Sequence, residues 1–92
     1  MAMDDSVREL IGRNVVLDTA GPLVYLGRLV DCSASGFWLE EADVHNQNEG
    51  HATKEQYILE ASEAGIRVNR KRVFVMGQAV VSLSAMDDVR VD

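Results

Sequence analysis

Four of the nine basic residues, Arg67, Arg70, Lys71 and Arg72, fall in one short stretch of a chain whose formal charge is −6. Cationic side chains at that density can contact phosphates, and aromatic rings near them can stack bases. Phe37 and Trp38 are the adjacent aromatic pair. By strand period Arg70 and Arg72 share a face, whereas consecutive Phe37 and Trp38 point to opposite sides, so one of the two is read as core and the other as interface. The plainer reading of the basic stretch is a solvated strand edge protected against aggregation. The acidic balance of the whole chain also speaks against non-specific nucleic-acid binding, which calls for a basic footprint over the surface.

Other reactive side chains form no recognisable site. His45 and His51, with Asp43 and Glu49 nearby, match no known metal-ligand spacing and read as solvated loop histidines. Cys32 is the single cysteine. It cannot form an intramolecular disulfide, fits a reducing compartment, and has no basic neighbour in sequence that would activate its thiol, so it reads as a small buried residue. The carboxylate pairs Glu40-Glu41 and Asp87-Asp88 are adjacent in sequence, which suits solvation better than a shared acid–base site. No phosphate-binding, dinucleotide or nucleophile-elbow fingerprint occurs, and the chain is read as a non-enzyme without cofactor or metal.

The elements that must position these residues are short. Ninety-two residues with 47% hydrophobic and 26% charged content make one globular domain with one economical core. Helix-start chemistry opens the chain over 4–12, with Ser6 as N-cap, Glu9 completing a capping box and Gly12 as the stop, and Val7, Leu10 and Ile11 form its apolar face. Strands follow over 14–18, 23–31 and 37–42, separated by Thr19-Ala20-Gly21-Pro22 and by the polar run 32–36. Gly27 inside the second strand marks a sharp bend or a close backbone approach. Residues 43–50 read as an exposed loop. A helix is expected over 53–64, capped by Thr53 and Gln56, carrying Tyr57, Ile58 and Ala61 on one face and terminated by Gly65. Strand four is expected over 66–76, a turn at Gly77-Gln78, strand five over 79–84, and an acidic tail over 85–92. The plan is a mainly β chain: a small, bent, five-stranded antiparallel barrel with an N-terminal helix and a helix inserted between strands three and four. No apolar run approaches a bilayer span, and the first residues do not read as a secretory signal, so a cytoplasmic location is expected.

This order resembles the Sm and Sm-like family, as a divergent, prokaryotic-type member. Its first motif is matched by Val15-Val16-Leu17, Gly21, Tyr25-x-Gly27-x-Leu29, Val30-Asp31 and Phe37-Trp38-Leu39. Its second is matched by Val73-x-Val75-Met76-Gly77-x-x-Val80-x-x-Leu83. The first-motif strands span 14–42, the insertion 43–65 and the second-motif strands 66–84. The resemblance implies a barrel in which strand four of one subunit pairs with strand five of the next, closing a homo-oligomeric ring of six or seven subunits. Physics agrees, because an open sheet leaves two edges with unpaired backbone groups that cyclic pairing covers.

The base-reading positions depart from the family pattern. Met76 stands where RNA-binding members carry an arginine before the glycine, and 32–36 offers neither an asparagine nor a stacking ring. Methionine donates no hydrogen bond and serine presents no stacking plane. Asp31 and Gly77 carry over; Phe37, Arg70 and Arg72 complete the candidate RNA contacts, while Gly27 and Gly77 define the fold. Two readings stay open: a ring that binds single-stranded RNA through a non-standard site, or a ring-shaped scaffold without RNA binding that holds a protein partner through the 53–64 helix.

Overall fold

The computed structural model describes residues 5–50 and 52–90. Five strands, β1 (Asn14–Thr19), β2 (Leu23–Ser33), β3 (Gly36–Asn46), β4 (Arg70–Met76) and β5 (Val80–Ala85), form one antiparallel sheet in the order β4-β3-β2-β1-β5. Two helices accompany them, α1 (Asp5–Arg8) and α2 (Lys54–Ala64). The expected architecture is therefore the observed one. Among the described residues no helix is long and apolar enough to cross a membrane.

The N-terminal helix is shorter than the sequence pattern suggests. After one α-turn the chain tightens, with Leu10 N–H donating to Val7 at 3.0 Å and Ile11 N–H to Arg8 at 3.1 Å. Ser6 consequently lies inside α1 and not at its cap, and Asp4 falls outside the described residues. Gly12 ends the turn at φ +94°, and its N–H donates to the Leu29 carbonyl at 2.7 Å, fastening the helix to β2. Val7 and Leu10 pack on the core as expected, whereas Ile11 is 38% exposed.

The sheet is buried on both faces along part of its length. Val15, Leu17, Leu29, Phe37, Leu39 and Val75 fill its inner side. Val16, Val24 and Leu26 point outward and are covered by Ile58 and Ala61 of α2 and by Met86, which follows β5. That arrangement explains why Val15-Val16-Leu17 is a continuous apolar run and not an alternating one. The bend expected at Gly27 is a close passage: a Cβ there would lie 3.0 Å from the Ala42 Cβ, and the β2–β3 register shifts at this point.

Residues 43–46, expected in an exposed loop, belong to β3, and only Gln47–Glu49 leave it as a short 3-10 turn. The reason is the inserted helix, which folds back over this strand and supplies partners for its polar groups. Asp43 is 1% exposed. Its carboxylate accepts hydrogen bonds from the Tyr57 hydroxyl and, at 2.9 Å, from Asn69 Nδ2. His45 is not a solvated loop histidine: its ring stacks on Tyr57 with centroids 3.6 Å apart, and its Nε2 is buried without a hydrogen-bond partner among the described residues. His51 lies outside the described residues.

The ends of α2 follow the sequence expectation. Thr53 and Gln56 form a reciprocal capping box, and Gly65 at φ +99° closes the helix with its N–H on the Ala61 carbonyl. Lys54, which sequence reasoning did not single out, locks the first turn onto the β1–β2 connection. Its ammonium donates to Asp18 Oδ1 at 2.7 Å, the Thr19 carbonyl at 2.8 Å and the Gly21 carbonyl at 2.6 Å. Strand four begins at Arg70, later than the expected Ile66. Asn69 takes over the ladder at that point, its side chain accepting from Val44 N–H at 2.9 Å and donating to the Val44 carbonyl at 3.1 Å.

Tyr57→Phe is expected to destabilise the fold by about 1–3 kcal/mol in urea unfolding, because Asp43 stays buried with one donor fewer. Burial first, then the hydrogen bond to Asp43 and its charge, push the Tyr57 pKa up from 10.0 to about 12. A raised folded-state pKa means that the associated stability is complete below pH 10 and is lost as pH climbs through 12. Unfolding midpoints measured across that window should fall more steeply for the natural chain than for Tyr57→Phe.

Candidate nucleic-acid interface

The candidate residues divide between two places. At one end of the sheet, the β2–β3 turn touches the turn between β4 and β5, a 3-10 turn over Gly77–Ala79. Gly77 N–H donates to the Ser35 carbonyl at 2.8 Å, and Gly36 pairs with Met76 across the β3–β4 ladder. A Cβ on Gly36 would meet the Val75 carbonyl oxygen at 2.2 Å, so the two turns interlock only because this position is glycine. Gly77 holds this junction together.

Chemically the junction is poor in base-reading groups. Asp31 is exposed, but one carboxylate oxygen accepts from the Cys32 backbone N–H at 2.9 Å and so caps the strand end. Met76, paired with Gly36 at the end of β4, is 51% exposed and supplies no donor. Cys32 is buried among apolar side chains, which fits the reading of a small core residue. The serines of the β2–β3 turn present hydroxyls and no stacking plane.

The second place is the outer face of β2, β3 and β4, the part of the sheet that α2 leaves uncovered. Here the register aligns Asp31, Trp38 and Phe74 in one row and Arg28, Glu40 and Arg72 in the next. Trp38 and Phe74 lie with ring centroids 5.0 Å apart at 58°. The Arg72 guanidinium sits 4.2 Å from the centre of the Trp38 ring, a cation–π contact. Glu40 steadies both arginines, at 2.8 Å from Arg28 and 3.9 Å from Arg72. The result is a guanidinium laid over the Trp38 ring, with the Phe74 ring tilted against the same indole.

These placements correct two readings of the sequence. Phe37 is 7% exposed in the inner core, so it offers no stacking surface; its neighbour Trp38 is the half-buried outer ring, as strand alternation requires. The four basic residues do not act as one patch. Arg67 lies near Tyr57, whose pKa its charge lowers, Arg70 donates to the Asn69 carbonyl at 3.0 Å, and Arg72 reaches Trp38. Phe74 was missed, although its two-residue spacing from Arg72 placed both on one strand face. Among the described residues no cluster of three or more His, Cys, Asp or Glu side chains is arranged to hold a metal.

The bent five-stranded sheet, its two interlocked turns and the helix leading into it are those of an Sm-like β-barrel. Among solved structures it is similar to the Pyrococcus abyssii Sm protein, determined in complex with a uridine heptamer, with a TM-score of 0.62 and 13% identity over 88% of this chain and 93% of that one. At that identity the likeness shows the fold. No model of a known protein family matches the sequence, and no curated protein matches it.

Gly36→Ala is expected to cost at least about 2 kcal/mol, since the new methyl must displace the Val75 carbonyl or break the contact between the turns. Chemical denaturation followed by circular dichroism measures it; an unchanged midpoint would mean that the turns are not interlocked as described.

Proposed function

We propose that this chain assembles head to tail through β4 and β5 into an Sm-like ring of six or seven copies, and that the ring binds single-stranded RNA at a non-standard site. The observation that carries the binding site is the Arg72–Trp38–Phe74 cluster on the outer face, with the guanidinium over the indole. An arginine plane held against aromatic rings can stack an unpaired base on its free side, while Arg28 contributes charge for a phosphate. Asp31 borders the stack and Gly77 shapes the adjoining turn, so the two family-matched positions support the site without reading a base. The Pyrococcus abyssii protein's complex with a uridine heptamer supports RNA as the ligand class.

A protein partner held through the 53–64 helix needs the Tyr57 and Ile58 side chains of that helix turned outward. Ile58 is buried against the sheet, and Tyr57 is engaged by His45 and Asp43, so no specific observation favours that surface.

Labelled oligo-U and oligo-A titrated at low and moderate salt test the proposal. Saturable binding that weakens with salt is expected, and Arg72→Ala should weaken it by about tenfold, the scale of one lost stacking contact. Absence of saturable binding at low salt, where electrostatic contacts are strongest, would overturn it.

A further inference from the structure

The basic stretch at the start of β4 remains without a role in that site, since Arg70 and Lys71 lie two residues and one residue before Arg72. β4 and β5 are the two edges of the sheet; β4 pairs only with β3, and β5 only with β1. Each edge has chemically distinct ends. β4 begins with exposed Arg70, Lys71 and Arg72 and ends at Met76, 51% exposed. β5 begins at Val80-Val81, with Val81 62% exposed, and ends by running into Asp87-Asp88.

We infer that these ends are complementary, so that Arg70 and Lys71 of one copy meet Asp87 and Asp88 of a second copy, and Met76 meets Val81. The inference rests on the head-to-tail assembly proposed above and adds what fixes its polarity. Antiparallel pairing of β4 with a second copy's β5 places the basic start against the acidic end and the apolar end against the apolar start. No other edge pairing satisfies both matches. A parallel β4–β5 pair sets Arg70-Lys71 beside Val80-Val81 and Met76 beside the aspartates. Antiparallel pairing of two β4 edges faces each basic start with a partner's Met76, and antiparallel pairing of two β5 edges faces each Val81 with the partner's aspartates. Mismatched pairings leave charges without counterions and apolar side chains in water, which is how edges select one partner against others.

The acidic end is available for this contact. The Asp87 side chain is 86% exposed, and its ion pair with Arg13, at 3.5 Å, is one that solvent screens. The charges at β4 therefore serve assembly, and the acidic balance of the chain does not oppose it, because the opposite charges are sorted to opposite edges.

Light scattering on the full chain, over a range of concentrations and salt, gives the test with three variants: Arg70→Glu with Lys71→Glu, Asp87→Lys with Asp88→Lys, and all four together. The natural chain should be oligomeric, with a midpoint concentration that rises with salt. Each two-residue reversal should raise that midpoint by about tenfold or more at low salt. The four-residue swap should restore it. Circular dichroism confirms that each variant is folded. A natural chain that stays monomeric at every concentration overturns head-to-tail assembly itself. An oligomeric natural chain whose folded variants assemble equally well, or whose four-residue swap fails to restore assembly, overturns the edge complementarity and leaves the assembly standing.

Discussion

Everything in this fold depends on how closely β2 and β3 pass at Gly27. A Cβ there would be 3.0 Å from the Ala42 Cβ and 3.3 Å from the Glu40 carbonyl, so no larger residue leaves the two backbones where they are. The register shifts at the same place, and Glu41 takes a left-handed φ of 48° to absorb the extra residue. A second shift follows between Leu29 and Asp31. These irregularities bend the sheet and keep Leu29, Leu39 and Cys32 turned inward beyond the bend. Without them an eleven-residue strand would run straight and could not wrap a core this small.

The bend also divides the outer face in two. Before Gly27, Val24 and Leu26 project outward as bare apolar groups that need a cover, and α2 provides it. Because Asp43 lies opposite Leu26 on that face, covering the apolar residues also buries a carboxylate. Burial of a charge is tolerable only with donors in place, and Tyr57 and Asn69 are those donors. The insertion is thus structural at its centre: its helix closes an outer core and satisfies a buried acid. Beyond the bend the outward residues are Arg28, Trp38, Glu40, Arg72 and Phe74, which tolerate water and one another, and no element among the described residues covers them.

The junction of the two turns is occupied by backbone contacts and a methionine. Its glycines let the turns interlock, and its one acid caps a strand. Aromatic and cationic groups have been gathered a short distance away on the sheet face, where the β-ladder and not a loop holds their geometry. A site on strands is stiffer than one on loops, since each side chain's position is set by pairing on both sides.

The sequence by itself determined the succession of helices and strands along the chain, the capping box of α2, its glycine terminator and the turns at Gly36 and Gly77, because each depends on a local preference written in neighbouring residues. It also separated Phe37 from Trp38 by alternation alone. Tertiary structure decided which of the two is inside, because that depends on the two register shifts that set the facing of β3. It decided that 43–46 is strand, since polar Asp43 and His45 become strand residues only once α2 supplies their partners. Lys54, Asn69 and Phe74 gained their roles the same way: their contacts lie in distant segments, 33 residues away in the case of the bond from Lys54 to Gly21, and no local signal encodes a distant acceptor.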